Sequence, residues 1–123
     1  MASLMTRRGF EVFVTALPAV TLHEQWEASV AKVGGKVFAL CGESGGSLAF
    51  KVNEVAFEGL TSLPGIMQAP YFAKGQWVHV EKGAAISDKD LKAYVREAHR
   101  IIAGKLTRKA QAELGLSEVV GER

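Results

Sequence analysis

The sequence predicts an α+β fold, with helices packed on one face of a mostly antiparallel five-stranded sheet. Three observations predict it. Apolar residues recur at helical spacing near both ends of the chain, short apolar runs fill the region between, and glycine-rich turns join several of those runs directly. Hairpin turns connect antiparallel strands, whereas parallel strands need long crossovers. The predicted order is α-β-β-β-α-β-β-α, with a short further helix at the end.

The length and composition favour one domain across residues 1–123. Apolar residues make up 48% of the chain and charged residues 23%, which is ordinary for a globular protein. The one cysteine, Cys41, lies in an apolar run and is expected to be a buried, unreactive thiol in a reducing cytoplasm. No apolar run approaches the length of a membrane span, so we expect no membrane partner.

The N-terminal half is predicted to contain one helix and three strands. The helix runs from about Thr6 to Leu17, because apolar residues recur there at i, i+3, i+4 and i+7 and Pro18 ends the pattern. A first strand is predicted from Leu22 to Val33. Glycines 34 and 35 form a hairpin turn, since glycine reaches positive φ without strain. The next two strands are Lys36–Cys41 and Ser47–Val52.

A short second helix and two more strands follow. Asn53 is a suitable N-cap for the helix, which ends at Pro64-Gly65. The two strands are predicted at Tyr71–Ala73 and at Gln76–Glu81, joined by a turn at Lys74-Gly75.

The third helix begins at a capping sequence, Ser87 to Asp90. Its predicted buried stripe consists of Leu91, Tyr94, Val95, Ala98, Ile101, Ile102 and Leu106. A last short helix near Arg108–Leu114 ends at Gly115, and the tail from about residue 116 is expected to fray.

The order and spacing of several segments resemble the MmcQ/YjbR-like family of small bacterial proteins. The segments that carry the resemblance are Leu17-Pro18, Gly35–Ala39, Leu48–Val52, Ala69–Tyr71, Gln76–Val80 and the third helix through Leu106. The resemblance implies a fold like that of secretion chaperones and a DNA-binding label. It supplies no catalytic residues and no cofactor.

The charge is unevenly distributed. The formal net charge is only +2, but Lys82 to Lys109 holds eight Lys or Arg residues against three Asp or Glu residues. We expect a basic stripe on the third helix, away from its buried stripe, and basic residues at hairpin tips. A solvated helix face is the alternative. The candidate nucleic-acid contacts are Lys36, Lys51, Lys74, Lys89, Lys92, Arg96, Arg100, Lys105, Arg108 and Lys109.

The last strand has two distinct faces. Val78 and Val80 share one face, which we expect to meet the helices, and Trp77 and His79 share the other. With Tyr71 nearby, the second pair is a candidate for stacking bases or for contacting a partner. The alternative is that Trp77 is a core residue and that His79 is an ordinary strand residue.

The sequence shows no pattern of residues that indicates catalysis or metal binding. The three histidines show no metal-ligand spacing, and no nucleophile is paired with a base. We therefore expect a non-enzymatic domain without metal or cofactor that binds nucleic acid weakly. The alternatives are a protein-interaction module or homodimer that uses the open sheet face, and a small-molecule pocket around Tyr71, Trp77 and His79.

Overall fold

A computed structural model describes residues 3–121. Its strands are β1 (Val20–Gln25), β2 (Ala28–Val33), β3 (Lys36–Gly42), β4 (Ser47–Lys51), β5 (Ile66–Gln68) and β6 (Trp77–Glu81). They form one antiparallel sheet in the order β1-β2-β3-β4-β6-β5. The α+β class and the antiparallel sheet are confirmed, but the predicted number of five strands is wrong.

The helices in the described residues are α1 (Arg7–Thr15), α2 (Glu54–Thr61), α3 (Asp88–Ala103), α4 (Arg108–Glu113) and α5 (Ser117–Val120). The first four begin at a side-chain cap, in which an oxygen of Thr6, Asn53, Ser87 or Thr107 accepts a backbone N–H three residues later. The predicted caps of α2 and α3 are therefore present.

The predicted first strand, Leu22–Val33, is in fact two strands. Trp26 and Glu27 form the turn between β1 and β2, and each has a φ of 55°. Two successive left-handed residues define a tight hairpin turn of the type that usually contains glycine, asparagine or aspartate. Neither residue gives that signal, which is why the sequence reads as one continuous strand.

The predicted strand at Tyr71–Ala73 is also wrong. The outer edge of β6 pairs instead with Ile66–Gln68, with Met67 opposite His79. Pro70 has no amide donor for a ladder, and Tyr71 has a φ of 70°, outside the extended region. Residues 69–75 therefore form a loop that leaves the sheet edge and returns to β6.

One face of the sheet forms the main core with the helices. Leu48 and Phe50 of β4 and Val78 and Val80 of β6 are fully buried in the same apolar cluster as residues of α1, α2 and α3. The expectation that the two valines face the helices is confirmed. A register shift in the β2–β3 pairing, between Ala31 and Lys32, changes the alternation along β3.

The C-terminal segment packs more closely than expected. Leu116 is fully buried in the main core, and α5 follows it. The expectation that residues from about 116 fray is therefore wrong up to Gly121. Within residues 3–121 no helix is both long and apolar enough to span a bilayer.

Candidate functional site: an aromatic pocket and a basic end

The second face of the sheet carries a smaller apolar cluster around Trp77. The indole is only 7% exposed and packs with Ala49 and Ala69, with Leu40 and Phe72 beside them. Trp77 therefore lies on the face that the strand pattern predicts, but it is not open to solvent. The interpretation of Trp77 as an exposed stacking surface is wrong, because the loop after β5 folds back over it.

The side chain of Gln68 holds that loop in place. Its amide nitrogen donates to the carbonyl oxygens of Ala69 and Phe72 at 2.8 and 3.2 Å, and its carbonyl oxygen accepts the Gly75 amide at 2.9 Å. One side chain thus satisfies backbone groups on both arms of the loop. The sequence interpretation missed Gln68, because its role depends on how the loop returns.

The loop places Phe72 over Trp77. Their rings stack with centroids 4.2 Å apart and an interplanar angle of 22°. Trp26, from the turn between β1 and β2, approaches Phe72 edge-on at 6.4 Å. The turn from one side of the sheet and the loop from the other side therefore meet over the second face.

A concave space of about 550 Å³ lies where they meet, which we call the aromatic pocket. Its lining includes Trp26, Leu40, Ala49, Tyr71, Phe72 and His79. Its volume is within the usual range of small-ligand sites. Tyr71 and His79 were predicted to share a site, and the structure brings them to one pocket, whereas Trp26, Leu40 and Phe72 were missed.

Two exposed aromatic residues beside the pocket have left-handed backbone conformations. Tyr71 is fully exposed at a φ of 70°, and Trp26 is 64% exposed at a φ of 55°. A left-handed conformation costs a non-glycine residue roughly 1–2 kcal/mol. Since Tyr71 buries no surface within the chain, its own packing does not offset that cost.

A second site lies at one end of the sheet. Three parts of the sheet meet there: the turn between β2 and β3, the end of β4 and the start of β6. The turn also contacts the residues after α3, since a Cβ on Gly34 would lie 2.5 Å from Leu106. We call this the basic end. Lys51, Arg100 and Lys105 line one groove there, and Lys36 follows the β2–β3 turn. Arg108 and Lys109 begin α4, shortly after Lys105.

Lys51 is the unusual member of this group. It is only 6% exposed, and its ammonium donates to the side-chain carbonyl of Gln76. Burial lowers the pKa of Lys51, and the charge of Lys105 lowers it further. Among residues 3–121 no carboxylate lies within ion-pair distance of Lys51. The lysine was predicted to be one cation among many, and its burial was not foreseen.

Lys51 also lines an open groove with Gln76, Arg100 and Lys105. Asn53 and the first turn of α2, with Glu54 and Val55, also line it. Glu97 engages two nitrogens of Arg100 and raises its pKa. The groove thus presents two lysines, a partly neutralised arginine and the carboxylate of Glu54, a net positive set that can hold an anionic group such as phosphate.

The stripe predicted on α3 is only partly free. Lys92 pairs with Asp88 at 3.3 Å, and both Lys92 and Arg96 lie over the ring of Phe13, at 5.9 and 5.3 Å from its centroid. These two cations cover the α1–α3 contact. Lys89 is in the first turn of α3, which is about 24 Å long, so it lies far from the basic end. Lys74 is exposed in the loop before β6.

The remaining reactive groups are structural. Cys41 is fully buried, and burial raises the pKa of its thiol to about 11. His99 bonds the carbonyl of Pro18 at 2.8 Å, and burial lowers its pKa. In the described part of the chain, no group of three or more His, Cys, Asp or Glu residues is placed to hold a metal ion.

The fold and these two sites define a small α+β domain built on a six-stranded antiparallel sheet. The chain belongs to the YjbR family, because the family model described as YjbR matches residues 15–101. The structure is similar to that of the Deinococcus radiodurans protein DR2400, described as a DUF419 domain, with a TM-score of 0.83 and 23% identity over 94% of this chain and 91% of that one.

A protein from Pseudomonas syringae has the same type of fold. Its TM-score is 0.66, at 17% identity over 80% of this chain and 99% of that one. The sequence has no significant match among curated proteins. At these identities the two solved structures show the fold alone.

Proposed function

We propose that the chain is a non-enzymatic binding domain whose basic end holds the phosphate backbone of nucleic acid. The observation that carries the proposal is Lys51, a buried lysine without a carboxylate within ion-pair distance among residues 3–121, beside Lys105 and Arg100 in a groove that Glu54 also lines. A buried cation costs free energy unless an anion compensates it. A phosphate in the groove supplies that anion.

The surrounding charges extend the same surface. Lys36 follows the β2–β3 turn at this end, and Arg108 and Lys109 begin α4, which starts three residues after Lys105. The opposite end of the sheet carries Glu43 in the β3–β4 turn and other acidic residues, together with Arg7 and Lys82. A polyanion is therefore expected to approach the basic end. With a net charge of only +2, binding is expected to be weak and independent of base sequence.

Titration of labelled oligonucleotides at low and moderate salt tests the proposal. The double variant Lys51→Met, Lys105→Gln is expected to weaken binding by about tenfold or more and to lower the slope of log K against log salt by about 1–2. The matched controls are Lys82→Gln and Lys89→Gln, which remove charge far from the groove and are expected to change affinity less than about twofold.

Two outcomes would contradict the proposal. One is an absence of binding at low salt. The other is binding that does not respond to salt and is unchanged in the double variant.

A second candidate function is a protein-interaction module or homodimer that uses the second face of the sheet. The exposed rings of Trp26 and Tyr71 beside an apolar pocket favour it, since aromatic residues are enriched at such interfaces. Light scattering across a wide concentration range tests the homodimer. A mass that stays at the monomer value throughout counts against it.

A further inference from the structure

The aromatic pocket is bounded by rings that meet nearly at right angles. Phe72 forms one wall and is held by its stacking on Trp77 at an interplanar angle of 22°, and Trp26 stands at 82° to Phe72. Tyr71 projects fully into solvent at the mouth. Aromatic rings gain most from a ligand that is itself planar, because faces can then overlap.

The residues that line the pocket also favour an uncharged ligand. Its residues carry neither a lysine or arginine nor a carboxylate, and the imidazole of His79 and the phenol of Tyr71 are its titratable groups. The side chain of His79 is half-buried on the sheet floor, where it can exchange a hydrogen bond with the edge of a ring. These features fit a planar, uncharged ring with polar atoms on its edge.

Trp26 and Tyr71, beside the pocket, both have positive φ values. Both residues hold left-handed conformations that asparagine or glycine would adopt with less strain. The two-residue hairpin turn requires the positive φ of Trp26. At Tyr71 the exposed ring adds little to folding, and the strained backbone presents that ring beside the pocket.

The pocket lies next to the basic end. Ala49 on the pocket floor and Lys51 of the groove are two residues apart on β4, which is about 7 Å, and Trp77 lies directly opposite Lys51. A ring bound in the pocket can therefore belong to a chain whose phosphate reaches Lys51. An unpaired nucleotide has this combination of neutral ring and adjacent phosphate.

We propose that the aromatic pocket takes an unpaired nucleobase, so that the domain prefers single strands to duplex. This inference rests on the phosphate binding proposed for the basic end and names the strand type. Bases in a duplex are stacked and paired, and cannot enter the pocket without being flipped out.

The test compares a single strand, its duplex and an abasic strand of equal length. The double variant Trp26→Asn, Tyr71→Gly removes both rings and places residues that tolerate positive φ, so it is expected to fold. It should lose about tenfold in affinity for the single strand. Its affinity for the duplex and for the abasic strand, and its salt slope, should stay unchanged. The controls Trp26→Phe and Tyr71→Phe keep a ring and should retain most of the affinity.

A nucleoside without phosphate separates this inference from the proposed function. Adenosine is expected to quench tryptophan fluorescence saturably, and Tyr71→Gly should weaken that quenching even if the Lys51 and Lys105 changes prove to have no effect on strands. Equal affinity of the wild type for single strand and duplex overturns the inference. So do equal losses on both in the ring variant, or quenching by N-acetylphenylalanine amide but not by adenosine, which would assign the pocket to a protein side chain.

Discussion

Lys51 on β4 and Trp77 on β6 lie directly opposite each other in the antiparallel ladder. Lys51 lines the open groove at the basic end. The indole of Trp77 stacks against Phe72, which lines the aromatic pocket. Directly opposite residues in such a ladder have Cα atoms about 5 Å apart. One cross-strand pair therefore joins the two sites, and a ligand with both a ring and a negative charge can engage them together.

The substitution Lys51→Met is expected to stabilise the free protein. Methionine keeps most of the buried stem while removing a desolvated charge, so the free energy of unfolding should rise by about 1 kcal/mol at neutral pH. The pKa of Lys51 is lowered in the folded state, so between that lowered pKa and its ordinary 10.5 the unfolded chain binds more protons than the folded one. The difference from wild type should therefore shrink as pH rises toward 10.5. Urea unfolding at several pH values measures it, and a loss of stability at pH 7 would contradict it.

Tyr71→Gly is expected to raise the free energy of unfolding by roughly 0.5–1 kcal/mol. Glycine relieves the strain at a φ of 70°, and this gain exceeds glycine's larger entropy loss on folding. The matched control is Ala73→Gly in the same loop, where φ is not positive and a loss of roughly 0.5–1 kcal/mol is expected. Thermal unfolding distinguishes the two, and the same direction of change in both would refute the strain argument.

Gly34→Ala is expected to destabilise the fold more than Gly35→Ala does. Both glycines have positive φ, but a Cβ at Gly34 would lie 2.5 Å from a methyl carbon of Leu106, whereas nothing lies within 4 Å at Gly35. We expect a loss of about 1–2 kcal/mol at Gly35 from backbone strain, and about 1–3 kcal/mol more at Gly34 from overlap. A double-mutant cycle with Leu106→Ala measures the overlap, and a coupling energy near zero would disprove it.

Stability is expected to fall below about pH 6.5 because of His99. Burial lowers the pKa of His99 from its ordinary 6.5, so the unfolded chain binds the proton first as pH drops. The decline is at most about 1.4 kcal/mol per pH unit and ends at the folded pKa. The carboxylates of Glu11, Asp88 and Glu97, whose pKa values are lowered from 4.5 or 3.8, act only at more acidic pH.

Denaturant titrations between pH 5 and pH 7.5 check the histidine prediction. His99→Gln should flatten the profile, because its amide can still donate to Pro18 but gains no proton. Exposed His23 provides the control, since His23→Gln should retain the decline. A wild-type profile that is flat across the window would rule His99 out as its source.

The helices were predictable because their signals are local. Asn53 and Ser87 cap as expected, and the spacing of apolar residues marks the buried side of α3. The turn at Trp26-Glu27 was not predictable, because neither residue favours the left-handed conformation and tertiary contacts outweigh that preference.

The aromatic pocket and the basic end could be predicted only in part from the sequence, for a related reason. Strand alternation correctly assigns Trp77 to the face opposite the valines. Whether that face is covered depends on the position of the loop that carries Phe72, which the nearby sequence does not predict. Lys51 occupies a polar position of the alternation, and its burial arises from Gln76 and the end of α3. Contacts between distant segments decide both outcomes.

The strand order β1-β2-β3-β4-β6-β5 also has a consequence for how the chain folds. Each of the first four strands pairs with its neighbour in sequence, so this meander can form through short loop closures. β6 must then find β4 across α2 and β5, which is the costlier closure. We therefore expect substitutions in the β2–β3 hairpin to slow refolding, and substitutions on β6 chiefly to accelerate unfolding.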